Sequence, residues 1–138
     1  MLTQRLFIFL ECIFVKTEAG VYSYTSPGGT GNDVCGLYVI SEPNQFVEFE
    51  FEGYDMELSC LEGGRLSVID GWELNGQFFP GTRDHPVARN ERYREYCDLK
   101  PIGIHRMSQN VGLIEFRIPV AGEGFKVHVR FTDNPQRK

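Results

Sequence analysis

Residues 60–97 read CLEGGRLSVIDGWELNGQFFPGTRDHPVARNERYREYC. The run Arg65-Leu66-Ser67-Val68-Ile69 alternates and predicts a strand with one buried face. Asp70-Gly71 ends it in a turn. A polar excursion punctuated by Gly and Pro follows, and Tyr93 and Tyr96 lead back to Cys97. A strand, a wide loop and a return, with a cysteine at each end, predict a loop closed by a disulfide. A crosslink around a loop of some three dozen residues stabilises a fold by about 3–4 kcal/mol.

Outward from this stretch the chain has the same character. Val47-Glu48-Phe49-Glu50-Phe51-Glu52 alternates strictly, so Val47, Phe49 and Phe51 face a core and the glutamates face water. Phe125 to Phe131 alternates as cleanly. Val111 to Ile118 places Ile114, Phe116 and Ile118 on one face, while Val21 to Thr25 and Cys35 to Ile40 read as further strands. Phe7 to Val15 is another candidate. Asp98 to Met107, with Pro101 and Gly103, reads as an irregular connection. About seven short strands and no 3.6-residue periodicity predict an all-β, two-sheet antiparallel sandwich. Fifteen glycines, seven prolines and 13% aromatics among 138 residues fit that class and one domain.

Glu48, Glu50 and Glu52 form an acidic stripe, and Lys126, His128 and Arg130 a basic one. The two strands are therefore expected to be neighbours, with opposite charges across the ladder. Two independently solvated faces are the alternative.

The net charge of −5 and the lack of a basic patch weigh against nucleic-acid and anionic-membrane partners. The four cysteines, Cys12, Cys35, Cys60 and Cys97, show no zinc spacing. Two disulfides, and hence a secreted, extracellular protein, are the expectation. Three pairings are open; Cys12–Cys35 with Cys60–Cys97 closes the shortest loops and is preferred. Residues 1–10 resemble the start of a signal peptide, but cleavage after Ala19 or Gly20 would remove Cys12 and leave an odd cysteine. Residues 12–134 are therefore taken as the domain, 1–11 as a partial signal or boundary segment and 135–138 as a tail.

No catalytic motif stands out. There is no His-Glu-x-x-His and no Gly-x-Ser-x-Gly. The Gly-rich stretch from Ser26 to Asp33 lacks the ending of a phosphate-binding loop. His85, His105 and His128 are scattered and read as ordinary surface or loop histidines. Asp55 and Glu57 imitate a glycosidase pair, as acidic β proteins commonly do. The chain is read as no enzyme, with no metal and no cofactor. Trp72, Phe78 and Phe79 are the suggestive side chains. Exposed, they would mark an interaction surface; otherwise they cap one end of the sandwich core.

The order of cysteines, the strand ending in Asp70-Gly71 and the late Gly124-Phe125 strand resemble CUB-type domains, which implies a jelly-roll sandwich with sequential disulfides. Glu62-Gly63-Gly64 and Ile118-Pro119 stand where such domains often carry calcium-binding acids, so no calcium site is carried over. A closer resemblance is to the corticotropin-releasing factor-binding proteins, particularly insect members. It rests on Cys35-Gly36-Leu37-Tyr38 with Ile40-Ser41-Glu42-Pro43, on Asp70 to Gly76 with Phe79-Pro80, on Asp84-His85-Pro86, on Glu91-Arg92-Tyr93 running to Cys97, and on Ser108-Gln109-Asn110-Val111 leading to Gly124-Phe125. The resemblance implies a secreted protein that sequesters a peptide hormone related to corticotropin-releasing factor (in insects a diuretic hormone) and limits receptor activation. It also implies a second domain beyond this one. Charged residues of vertebrate members near the first cysteine are replaced by Ile8 and Phe14. Such hormones form amphipathic helices, so capture calls for an apolar groove with a polar rim, for which Trp72 and Phe78 are the candidates. The alternative is a CUB-like extracellular protein–protein interaction or adhesion module.

Overall fold

The computed structural model describes residues 12–28, 34–55, 60–74, 77–88, 91–98, 101 and 103–135. Eleven strands occur among them: β1 (Ile13–Lys16), β2 (Gly20–Thr25), β3 (Cys35–Ile40), β4 (Gln45–Asp55), β5 (Arg65–Asp70), β6 (Trp72–Leu74), β7 (Gln77–Phe79), β8 (Tyr93–Tyr96), β9 (Ile104–Arg106), β10 (Val111–Arg117) and β11 (Gly124–Asp133). The only helical turn described is a short 3-10 segment, Thr82–Asp84. Sheet A has the order β1-β3-β10-β5-β8, sheet B the order β2-β11-β4-β9, and β6-β7 is a separate hairpin. The expected all-β sandwich is the observed one. One pairing departs from antiparallel: β1 runs parallel to β3, from Ile13 opposite Gly36 to Lys16 opposite Val39.

The alternating residues do what their period requires. Leu37, Val39, Leu66, Val68, Ile114 and Phe116 of sheet A meet Val47, Phe49, Phe51, Phe125, Val127 and Val129 of sheet B in one core. Gly112 makes room for this contact, because a Cβ there would press on the Phe49 ring and on Met107. Both disulfides form as preferred. Cys12–Cys35 ties the adjacent starts of the parallel pair (Cα–Cα 4.9 Å), and Cys60–Cys97 (Cα–Cα 5.2 Å) links the approach to β5 with the end of β8. These Cα separations lie within the normal range for a bridge.

The charge-stripe expectation also holds. Lys126, His128 and Arg130 stand opposite Glu52, Glu50 and Glu48 in register. The side chains pair one step diagonally, His128 with Glu52 and Arg130 with Glu50 at 2.6 Å, while Glu48 receives Arg106 of β9 at 2.8 Å. Glu48 is thus buried on the side that the alternation assigned to water.

Two expectations change. The segment Asp98–Met107 is not wholly irregular, since β9 within it pairs with β4. And β5 buries both faces: Leu66 and Val68 look into the core, while Ser67 and Ile69 are equally covered on the other side. Leu113, opposite Ile69 in register, is fully buried there too. On that side Ser67 hydrogen-bonds to the Tyr93 hydroxyl, and β6 of the hairpin packs against β10 and Tyr38.

Candidate functional site

The hairpin is held by a knot of buried polar groups. Gly71 adopts φ +110°, open to glycine and strained for other residues, and a Cβ there would collide with the Phe79 carbonyl and the Arg92 guanidinium. Arg92, 2% exposed, donates from Nε to the Asp70 carbonyl at 2.8 Å, from Nη1 to Pro80 at 2.8 Å and from Nη2 to Phe79 at 3.1 Å. One planar fork therefore fixes where β7 ends relative to where β5 ends. The Asp70 carboxylate accepts the Ser108 N–H at 2.9 Å and the Ser108 hydroxyl at 2.6 Å. Nε2 of buried His85 lies 3.2 Å from Asp70 Oδ1, close enough for ion pairing though off the line of a straight hydrogen bond. The His85 Nδ1 lies 3.0 Å from the Val87 N–H, which places Nε2 on the side of the carboxylate. Asp-Gly-Trp, Phe-Pro, Asp-His-Pro, Glu-Arg-Tyr and Ser-Gln-Asn, five separate words in the sequence, converge on this one support.

What it supports is a groove. Trp72 and Phe79 are paired in register, as are Glu73 with Phe78 and Leu74 with Gln77. Successive strand residues face opposite ways, so Trp72, Leu74 and Phe79 share one face of the hairpin and Glu73 and Phe78 share the other, Glu73 reaching only the edge of the groove. The first face looks across to β1 and β3. Between them lies a cleft of about 440 Å³ lined by Ile13, Val15, Tyr38, Trp72, Glu73, Leu74 and Phe79. Trp72 stands edge-on to Tyr38, ring centroids 5.7 Å apart. Four of the lining side chains are open to solvent: Ile13 at 40%, Val15 at 60%, Leu74 at 59% and Phe79 at 41%. Large apolar groups gathered around a concavity, rather than scattered singly, mark a binding surface.

The structure separates the two aromatic candidates. Trp72 lines the groove, whereas Phe78 turns away, with the Arg92 guanidinium 5.4 Å from its ring centre and Tyr93 at 6.3 Å. Neither caps an end of the core; both lie over the outer face of sheet A. Phe79 was among the aromatics singled out from sequence, whereas Ile13, Val15 and Leu74 were not. The alternation of Ile13-Phe14-Val15-Lys16 carried the signal, since it describes a strand with two apolar sides. Phe14, on the other side, packs against the core and borders a crevice of about 190 Å³ with Lys16, Tyr22 and Tyr24. Ile8 lies outside the described residues, as do the side chains of Asp55 and Glu57 and the Asn75-Gly76 turn.

One acid, Glu73, lines the groove, and a second, Glu115, meets it from β10. Glu115 of β10 is opposite Gly36 and Ser67, on the same outer face as Tyr38. Burial first, and then the charge and hydrogen bond of Glu73, hold its carboxyl above the ordinary range, pushed up to about 7, with Arg65 opposing. The Tyr38 hydroxyl is also raised, by burial and then by Glu115 and Glu73.

The histidines have partners of their own. His105, buried on β9, lies 2.7 Å from the Tyr96 hydroxyl and edge-on to Phe51; burial, then Arg94, lowers its pKa. His85 lies in a loop, as expected, but is buried there; His105 is buried on a strand; and His128 pairs with Glu52 on the exposed side of sheet B. Among the described residues no group of three or more His, Cys, Asp or Glu could hold a metal ion, and no helix is long and apolar enough to cross a membrane.

A stapled β sandwich presenting an apolar groove edged by Glu73 on one sheet face has the architecture of a binding module. The chain belongs to the family described as the corticotropin-releasing factor binding protein N-terminal domain, which residues 6–133 match. Among its relatives is the corticotropin-releasing factor-binding protein of Xenopus laevis, 39% identical over 126 residues. The proteins of that name from Ovis aries and Homo sapiens are 36% and 33% identical. Each alignment covers 91% of this chain and 38% of the relative, so the chain spans well under half the length of the curated relatives it matches. The family description is that of a binding protein, in agreement with the reading that the chain is no enzyme. The full extracellular region of zebrafish Gpr126/Adgrg6 shares the fold, with a TM-score of 0.52 at 17% identity over 88% of this chain and 15% of that one.

Proposed function

We propose that the chain is a secreted binding module that captures a peptide hormone related to corticotropin-releasing factor and limits its access to receptors. The carrying observation is the groove: Ile13, Val15, Leu74 and Phe79, exposed together around a cleft with Trp72 and Tyr38 at its base. An amphipathic helix needs such a surface for its apolar stripe. The two disulfides fit an oxidising, extracellular setting. Relatives over 91% of the chain carry the name of corticotropin-releasing factor-binding proteins. Trp72 is the ring at the centre of this contact, and Phe78 supports the hairpin from behind.

Titration calorimetry of the full chain against a corticotropin-releasing factor-like peptide tests the reading. Saturable binding at micromolar peptide or below is expected. Phe79→Ala trims a side chain that is 41% exposed, so the expected cost to stability is about 1 kcal/mol. The same change should weaken peptide binding by about tenfold, the equivalent of 1.4 kcal/mol. Unaltered affinity in Phe79→Ala and in Leu74→Glu would move the site away from the groove.

A further inference from the structure

β1 and β2 are edge strands of sheets A and B on one side of the sandwich, as β8 and β9 are on the other. The β8–β9 side is shut, for the Tyr96 hydroxyl lies 2.7 Å from His105 Nε2 across the gap between the sheets. The β1–β2 side is open. A crevice of about 190 Å³ enters there. Its floor is Leu37, Phe116 and Phe125, all buried, and its walls are Phe14, Tyr22 and Tyr24, each half-buried. The Tyr24 ring centre stands 4.6 Å from that of Phe116 and 6.1 Å from that of Phe125, so the lining is chiefly aromatic. The crevice is distinct from the groove, because β1 turns Ile13 and Val15 to the groove and Phe14 and Lys16 to the crevice.

Lys16 is the charged side chain of this lining. It is half-buried, and its ammonium lies 5.8 Å from the centre of the Tyr22 ring. Among the described residues no carboxylate stands within ion-pair distance of it. Glu18, two residues on, is exposed and engages Tyr22 through its backbone carbonyl, which accepts the phenol hydroxyl at 2.5 Å. The contact that the ammonium does make, with an aromatic ring, is weaker than a charge-assisted hydrogen bond to a carboxylate. An apolar recess that ends at a cation without an acid fits an apolar molecule that ends in an acid.

We infer that the crevice binds a small aromatic carboxylate: one ring on a short chain, the ring set among Phe14, Tyr24 and Phe116 and the carboxylate on the Lys16 ammonium. The volume sets the size. A cavity of about 150 Å³ takes a benzene ring, so a ring with two or three methylenes fills this one. The surrounding rings receive it edge-on or offset. This site is independent of peptide capture and stands whether or not the groove holds a hormone.

The experiment is an NMR titration of the isotope-labelled full chain with phenylpropionate and, separately, with phenylpropanol, which has the same ring and chain without the charge. Phenylpropionate is expected to bind saturably with a Kd on the order of 0.1–1 mM, the scale for a ligand of its size, and to shift the signals of Phe14, Tyr22, Tyr24 and Leu37. Phenylpropanol should bind about tenfold more weakly. Lys16→Met keeps the apolar stem and removes the charge, so it should abolish the preference for the acid and leave the affinity for the alcohol as it was. Four results would each overturn the inference: no saturable binding of the acid, equal affinity for acid and alcohol, a preference that survives Lys16→Met, or shifts gathered at Trp72 and Leu74 instead. Lys16 would then serve only as an inward charge that guards the edge of sheet A against pairing with other chains.

Discussion

Glu115→Gln should make the protein more stable, and only above a certain pH. The carboxyl of Glu115 is held above its ordinary 4.5, at about 7, first by burial and then by Glu73. Below about pH 4.5 the group is protonated in folded and unfolded chains alike, and it contributes no difference. Between these values the folded chain keeps a proton that the unfolded chain has lost. Stability therefore falls as pH rises through that window and levels off above it. At about 1.4 kcal/mol per unit the full penalty would be near 3 kcal/mol. The side chain is only half-buried, and solvent screening reduces this to about 1–2 kcal/mol. A glutamine has no charge to bury and can still donate a hydrogen bond to Glu73. At pH 8 the variant should therefore melt about 3–8 °C higher than the parent, and at pH 4.5 the two should coincide. Thermal unfolding followed by circular dichroism at four pH values between these limits reads the difference. His105 and the other titrating groups are common to both proteins and cancel in the comparison. A gap that stays constant from pH 4.5 to 8, or a variant that is less stable at pH 8, would refute the account of the acid pair.

Arg92→Met keeps the side-chain bulk but removes the donors to the Asp70, Phe79 and Pro80 carbonyls. Leaving buried acceptors unpaired should cost about 3–5 kcal/mol in urea unfolding, and hydrogen exchange should show the loss of protection concentrated in β6 and β7. Gly71→Ala places a methyl group against the Phe79 carbonyl at a positive φ, and about 2–4 kcal/mol of destabilisation is expected in the same assay. The double change Cys60→Ser and Cys97→Ser opens a loop with a sequence separation of 37 residues, for which the loss should be about 3–4 kcal/mol.

The strands that sequence showed most clearly are those with one face in the core and one in water. β4 and β11 alternate because Phe49 and Val129 look inward while Glu50 and His128 look outward, and the two charge stripes even announced which strand lies beside which. β6, β7 and β9, at three residues each, are too short to display a period, and β8 is barely longer. β6 and β7 pair with each other across two residues, whereas β8 and β9 take their strand character from β5 and β4, far away in the chain. β5 was legible as a strand but only half legible as to burial, because what meets Ser67 and Ile69 on the outer face, Tyr93 among it, comes from a strand more than twenty residues away.

The amino-acid order by itself determined the class of fold, the use of four cysteines as two disulfides, and a set of short words that group this chain with its family. It also placed Trp72 under suspicion. Only the tertiary structure decided that Trp72 faces a groove and Phe78 does not, since one residue of offset on a strand reverses the side. Only the parallel pairing of β1 with β3 brings Ile13 and Val15 to the opposite wall. And Glu115, which in an alternating strand reads as one more solvated acid, takes its character from Glu73, more than forty residues earlier. Periodicity reports which residues leave water; it does not report what meets them once they have.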